Sequence, residues 1–248
     1  MRKFISFFII LFLVMAIPQS NLCAKNVTFK WFGQACFLIV TSNFTKIILD
    51  PIRFGRYRVP AEITPDIVTV SHEHMDHNKA DSLSGSPVVI RGLTSAADEF
   101  AEINRQVKDV KIYNVASYHD SSQGEERGLN AVFVLEFDGL RLAHLGDLGH
   151  TLTEKQIIKI GKVDIVMIPV GGKYTIYGDD AHKVIEQLKP KMIVFPMHFK
   201  TKAAGFLPYS AEDFVAGKKN VIRVEDSGYE LDLINPPQKM QYVILDYK

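Results

Sequence analysis

The chain has 248 residues, of which 47% are apolar and 23% charged, with a formal charge of +1. Such a composition is ordinary for a globular protein and long enough for one large core. No basic excess points to nucleic acid, and no acidic tail points to disorder.

Arg2 and Lys3 precede an apolar run from Phe4 to Ile17 and then Pro18-Gln19-Ser20. A basic start, a short apolar stretch and a polar region make a secretory signal over 1–24, leaving a domain over 25–248. The run is shorter than the roughly 20 residues of a membrane-spanning helix. Cleavage is expected after Ala24, with an uncleaved anchor as the alternative. Leu22 stands before Cys23, where lipoprotein signals have a small residue. Loss of Arg2 and Lys3 takes the charge to about −1, which implies nothing about partners. Cleavage leaves Cys36 as the single thiol, so no disulfide framework supports the fold.

In chain order, 27–32, 35–40 and 45–50 read as three short strands of an antiparallel meander. Residues 53–65 read as a loop, 67–70 as a buried strand and 88–91 as another. The spacing of Ala97, Phe100, Ile103 and Val107 predicts a helix over 96–107. Strands are expected at 110–115, 131–137 and 140–145, the last two joined by an Asp138-Gly139 hairpin turn. Short helices at 153–160, 179–188 and 211–216 then alternate with strands at 165–169, 192–197, 221–225 and 242–246. Strands first, then strands alternating with helices, suggest two packed sheets with helices outside, an α/β sandwich.

After the strand at 67–70 comes His72-Glu73-His74-Met75-Asp76-His77. Residues two apart in an extended chain share a face, so His72 and His74 can address one ion. Asp76 and His77 follow, where the turn redirects them toward a second. Imidazole and carboxylate donors suit zinc, and also manganese or iron. The chain holds only eight histidines, and three of them stand in these six residues. His119, Asp147 and His198 each lie just past an expected strand, where the sites of α/β sheets gather.

The segment Ser71 to His77 resembles the H-x-H-x-D-H signature of the metallo-β-lactamase superfamily. His119, His144-Leu145-Gly146-Asp147 and Pro196-Met197-His198 resemble its later metal motifs, in order. The likeness runs from about 27 to 225 and includes Trp31-Phe32-Gly33-Gln34-Ala35 and Asp50-Pro51. It implies a four-layer αββα sandwich with a dinuclear site. His72, His74 and His119 would hold the first ion, Asp76, His77 and His198 the second, and Asp147 would bridge them. Asp76 and Asp147 would be the catalytic carboxylates, acting with a metal-bridged hydroxide. Zinc β-lactamases of the commonest type carry Cys where Asp147 stands. The combination of Trp31-Phe32-Gly33, Gly146-Asp147-Leu148-Gly149 and Pro169-Val170-Gly171-Gly172 is most similar to the ascorbate-6-phosphate lactonase-like branch. N-acylphosphatidylethanolamine phospholipase D shares the opening motif. Many relatives have His where this chain has Gln34.

Lys173 and Tyr174, with Thr175, follow a predicted strand and are candidates to contact substrate, as are His150 and Lys200. Arg53, Arg56 and Arg58 could meet an anion, though a solvated basic loop accounts for them as well. His144 is expected to be packed or to orient a ligand, and His182 to lie at the surface. The resulting expectation is an exported hydrolase, periplasmic or extracellular. It would use two divalent ions, most readily zinc, on a small ester, lactone or phosphodiester, with no nucleic-acid partner. The alternatives are a zinc β-lactamase-like amide hydrolase, a metal-binding domain without catalysis, and a redox di-iron form. All three first-motif histidines and the lack of a flavin domain weigh against the last.

Overall fold

The computed structural model describes residues 25–247. The segment 1–24, read as an export signal, lies outside them. Among the described residues no helix is long and apolar enough to cross a membrane.

The strands are β1 (Asn26–Trp31), β2 (Phe37–Val40), β3 (Lys46–Leu49), β4 (Arg53–Phe54), β5 (Tyr57–Arg58), β6 (Ile67–Val70) and β7 (Val88–Arg91) in the first half. The second half adds β8 (Asn104–Val107), β9 (Val110–Tyr118), β10 (Leu129–Phe137), β11 (Leu140–His144), β12 (Ile165–Pro169), β13 (Ile193–Met197), β14 (Val221–Val224), β15 (Gly228–Asp232) and β16 (Gln241–Leu245). Three helices, α1 (Glu154–Ile160), α2 (Gly178–Leu188) and α3 (Ala211–Val215), alternate with the later strands. One sheet runs β15-β1-β2-β3-β6-β7, and the other runs β14-β16-β13-β12-β11-β10-β9-β8.

The first sheet sorts its side chains by the two-residue period of a strand. Val27, Phe29 and Trp31 of β1, with Ile39, Ile47 and Ile67, pack inward against Phe133, Leu135 and Phe195 of the second sheet. Leu38, Ile48, Val68 and Val70 face outward. The second sheet buries both faces, because α1, α2 and α3 cover its outer side with Ile160, Val184, Ile185 and Phe214. Accordingly β12 and β13 are buried along their whole length, as expected for strands covered on both faces. The architecture is the α/β sandwich expected, with few helices. The outer layer of the first sheet is made of the β4–β5 hairpin, a one-turn 3₁₀ helix at Lys79–Ser82 and the segment around Ala204 and Leu207.

Local chemistry sets the boundaries. Thr153 accepts from the Gln156 amide while the Gln156 side chain returns to the Thr153 N–H, a reciprocal cap for α1. Ser210 and Asp213 repeat the arrangement on α3. Asp138 and Gly139 are both left-handed, as a tight two-residue hairpin requires.

Residues 96–107 are not helical. Asn104–Val107 is instead the edge strand β8, paired antiparallel with β9 from Asn104 opposite Tyr113 to Val107 opposite Val110. Long-range bonds override the helical spacing. The Asn114 side chain accepts from the Ile103 N–H and donates to the Ala101 carbonyl, while Ala97 and Lys108 adopt left-handed backbone that no helix tolerates. The structure also places β4–β5 in the stretch expected as a loop. β15, which sequence reading passed over, pairs with β1 some 200 residues earlier in the chain.

The two sheets are clamped at one end. Asp109, in the β8–β9 turn of the second sheet, accepts from Thr41 Oγ1 at 2.8 Å, from Asn43 Nδ2 at 3.2 Å and from Thr45 Oγ1, all in the β2–β3 turn of the first. Asp138 accepts from the Ser42 N–H at 2.8 Å. Burial opposes the Asp109 charge, but the bonds from Thr45, Thr41 and Asn43 outweigh it and lower its pKa. A depressed carboxyl contributes stability above its unfolded pKa and loses it as pH falls through the folded value. Asp109→Ala is therefore expected to cost about 1–3 kcal/mol at neutral pH, measured by urea unfolding. The difference from the parent should shrink below pH 4.

Candidate metal centre

The opposite end of the sandwich carries the site. His72, His74, Asp76 and His77 follow β6, His119 follows β9, Asp147 lies past β11 and His198 follows β13. Strands from both sheets thus deliver these side chains to one place. Ligand atoms of His72, His74 and His119 lie within 4.8 Å of one another, and so do those of Asp76, His77 and His198. Asp147 stands between the groups, its Oδ2 lying 3.1 Å from His119 Nε2, 3.3 Å from His77 Nε2 and 3.4 Å from His198 Nε2.

The electrostatics of this cluster fit cations. Burial opposes the charge of Asp147, yet His198, His77 and His119 outweigh it and hold its carboxyl well below the usual range. Burial likewise disfavours protonated His77, yet Asp147 and Asp76 push its pKa well above normal. Burial, joined by the neighbouring imidazoles, keeps His72 and His74 low and therefore neutral, the state in which imidazole ligates. Their ring nitrogens, His72 Nε2 and His74 Nδ1, face each other at 3.0 Å. His77 Nε2 and Asp147 Oδ1 are buried without a hydrogen-bond partner. Converging neutral nitrogens, carboxylate oxygens and orphaned buried atoms are what bound divalent cations would satisfy.

A network behind the ligands fixes their orientation. Asp50, fully buried, accepts at Oδ2 from His77 Nδ1 at 2.9 Å and from Ser71 Oγ at 2.6 Å, and at Oδ1 from the Ser71 N–H at 2.7 Å. Ser71 Oγ lies 2.9 Å from His72 Nδ1. One carboxylate thereby sets the rings of His77 and, through Ser71, His72. Asp50 also groups with His72 and His77, ligand atoms within 4.8 Å of one another, but hydrogen bonds engage both its oxygens, which fits an orienting role. Asn130 Oδ1 accepts from the Asp147 N–H at 2.9 Å, while its Nδ2 donates to Ser117 Oγ and to the Leu145 carbonyl.

The opening motif has a mechanical role. The Gln34 carbonyl accepts from the Trp31 indole at 2.9 Å and from the His198 N–H at 3.0 Å, so the β1–β2 turn holds the fourth ligand loop. Gly33, at φ +99°, lies so close to the Tyr57 ring that a Cβ would meet it at 2.1 Å. The Gln34 side chain reaches into the site, with Nε2 3.4 Å from Asp76 Oδ2 and 3.3 Å from His198 Nε2. Gly149 serves a similar close approach: a Cβ there would lie 2.3 Å from the backbone of His119 and Asp120.

A cavity of about 400 Å³ opens over the cluster, with His74, Asp76, His119, Asp147 and His198 in its floor. It is lined further by Phe54, Met75, Tyr174 and Phe206, and by Gln34, Glu126 and Arg127. Of the expected substrate contacts, Tyr174 lines it. Lys173 stands over the Tyr174 ring at 4.9 Å, outside the lining. Thr175 is buried and donates to the Ile176 carbonyl. His150 is turned away: its Nε2 accepts from the Tyr118 N–H at 3.1 Å and its Nδ1 donates to the Thr151 carbonyl at 2.7 Å. Lys200 and Arg56 line a separate cavity, and Arg53 and Arg58 are exposed. His144 is buried and donates from Nε2 to the Ala35 carbonyl at 2.8 Å. His182 stacks on Phe214. Sequence reading missed Asp50 as an orienting group, although Asp50-Pro51 at a strand end was a signal, and it missed Asp120, Asn130, Glu126 and Arg127.

The profile of the beta-lactamase superfamily domain matches residues 28–198, and the chain belongs to the metallo-β-lactamase superfamily. It is 32% identical over 199 residues to a UPF0173 metal-dependent hydrolase of Carboxydothermus hydrogenoformans, covering 71% of this chain and 85% of that one. A UPF0173 metal-dependent hydrolase of Thermococcus kodakarensis is 29% identical over 231 residues, which span 84% of this chain and the whole of the relative. Among solved structures, a Thermotoga maritima protein described as a zinc-dependent hydrolase of the superfamily superposes with a TM-score of 0.71 at 32% identity. The match covers 90% of this chain and all of that one.

Asp50→Asn retains a residue tolerated in the left-handed conformation found there, φ 43°, removes the charge behind His77 and Ser71, and turns one of the two accepting oxygens into a donor. Metal affinity is expected to fall about 10–100-fold, measured by competition with a chromophoric chelator. Unchanged affinity would rule out the orienting role of Asp50.

Proposed function

We propose that this chain is a metal-dependent hydrolase that holds two divalent ions, zinc foremost with manganese or iron as alternatives. Its substrates would be small esters, lactones or phosphodiesters. The observation that carries this reading is Asp147 Oδ2, buried between three imidazole nitrogens at 3.1–3.4 Å and flanked by two separate ligand groups. His72, His74 and His119 would hold one ion, and Asp76, His77 and His198 the other, with Asp147 shared. When bound, such ions supply Lewis acidity and bring the pKa of a bound water toward ~7.

The protein's own groups do the rest. Asp50 and Ser71 hold the rings of His77 and His72 in one orientation. The Gln34 amide sits against Asp76 and His198 and can donate to a substrate oxygen in the cavity. Asp76 and Asp147 both line that cavity. Phe54, Tyr174 and Phe206 offer an apolar surface to the substrate body. No Ser or Cys nucleophile is needed, and the one described cysteine, Cys36, is buried with its thiol pKa pushed up by burial.

An oxygen donor at 147, where common zinc β-lactamases use a thiolate, supports ester or phosphodiester chemistry over β-lactam cleavage. The opening and glycine motifs support the lactonase-like branch within that range. Export is proposed from Arg2, Lys3 and the apolar run that follows.

Purified without chelator, the protein should turn over at least one of a p-nitrophenyl phosphodiester, a lactone or a p-nitrophenyl ester, and not a cephalosporin. His74→Ala and, separately, Asp147→Ala should each lower kcat/KM by about 100-fold or more and reduce bound metal. A variant that kept both its metal and its turnover would contradict the assignment. Mass spectrometry of the exported protein should find Lys25 at its N-terminus, whereas a retained Met1 would favour the anchor.

A further inference from the structure

The loop that follows ligand His119 is built from within. Asp120 is 3% exposed, and its carboxylate accepts four backbone N–H groups: Ser122 at 2.8 Å, Gly124 at 2.8 Å, Glu126 at 3.1 Å and Arg127 at 2.8 Å. The Gly128 N–H closes the loop on the Gly124 carbonyl at 2.9 Å, and the His119 N–H bonds the Gly128 carbonyl at 3.1 Å. A carboxylate satisfied by four amides fixes a backbone that would otherwise sample many conformations. This fixed loop carries Arg127 to the lining of the cavity over the candidate metal centre.

Among the described residues Arg127 has one ion pair, to the adjacent Glu126 at 3.2 Å, with Glu126 exposed and Arg127 about one-third exposed. Such a pair contributes about 0–1 kcal/mol, so an incoming anion can displace it. The same cavity is walled by aromatics: Phe54 and Phe206 meet edge to face at 6.3 Å, and Phe206 lies 6.4 Å from Tyr174. A cavity lined by a guanidinium, by aromatic rings and by a metal-type cluster suits a ligand with three matching parts.

We propose that Arg127 is a specificity-determining residue that binds a carboxylate or phosphate-type group on a substrate whose apolar body rests on Phe54, Tyr174 and Phe206. The inference rests on the hydrolase reading above and names the substrate class within it: esters or lactones with an anionic substituent remote from the bond that is cut. The Arg127 backbone contact to Asp120 survives side-chain replacement, so variants at 127 should keep the loop.

The test compares metal-loaded parent, Arg127→Ala and Arg127→Lys on p-nitrophenyl esters of butyrate, adipate and 5-phosphonopentanoate, the acidic chains being too long for ready attack on their own esters. These are neutral, carboxylate-bearing and phosphonate-bearing acyl groups. The parent should favour one of the anionic esters over butyrate by roughly tenfold or more in kcat/KM. Arg127→Ala should abolish that preference, chiefly through KM, and leave butyrate within about twofold. Arg127→Lys should restore part of it. Butyrate hydrolysis with no anionic preference, or with a preference that survives Arg127→Ala, overturns the proposal and leaves the hydrolase reading standing. If no ester is cleaved, ester hydrolysis fails on its own. Calorimetry with succinanilic acid and phenylphosphonate then decides the role of Arg127. Binding weakened about tenfold or more in Arg127→Ala upholds it, and equal binding overturns it.

Discussion

A buried carboxylate amid imidazoles is the constraint on which this structure turns. Asp147 is almost fully enclosed, and its Oδ2 lies within 3.4 Å of nitrogens on three different loops. An ionised carboxylate removed from water costs several kcal/mol unless positive charge compensates it. Protonated His77 is one source, which is why that ring is held well above its ordinary pKa. Divalent ions are a stronger one, and they would also engage the ring nitrogen and carboxylate oxygen that hydrogen bonds leave without partners.

Much of the remaining architecture delivers and steadies that arrangement. Asp50 sits at the end of β3 in the first sheet, yet through His77 and Ser71 it governs groups that face the second sheet. The Gln34 carbonyl ties the β1–β2 turn to His198, and Asn130 ties β10 to Asp147. At the far end Asp109 and Asp138 join the β2–β3 turn to two hairpins of the other sheet. The sheets are thus cross-linked by polar contacts at both ends, with an apolar core between them. A rigid frame of this kind keeps ligands from different strands in register.

The sequence made the metal cluster legible because ligand chemistry is carried by residue type. Three histidines and an aspartate within six residues, and later His and Asp residues at strand ends, need no three-dimensional information to be noticed. Strands whose apolar runs are continuous, such as Ile67–Val70 and Ile165–Pro169, were legible for the same reason. Asn104–Val107 was not, because its strand pairing with β9 and the Asn114 bonds depend on partners outside the local window. Gly228–Asp232 was missed because its pairing partner lies at the other end of the chain. Asp120 and Arg127 share this difficulty: an Asp after a His gives no sign that four amides will fold around it. His150 shows the converse, since proximity in sequence to Asp147 did not place it in the cavity.

The most direct test of the account is anomalous diffraction from crystals of the metal-loaded protein, recorded at the absorption edge of the metal found in it. Two peaks should lie on either side of Asp147, one against His72, His74 and His119 and the other against Asp76, His77 and His198. A single peak, or a peak ligated by Asp50 in place of Asp147, would contradict the shared-carboxylate site.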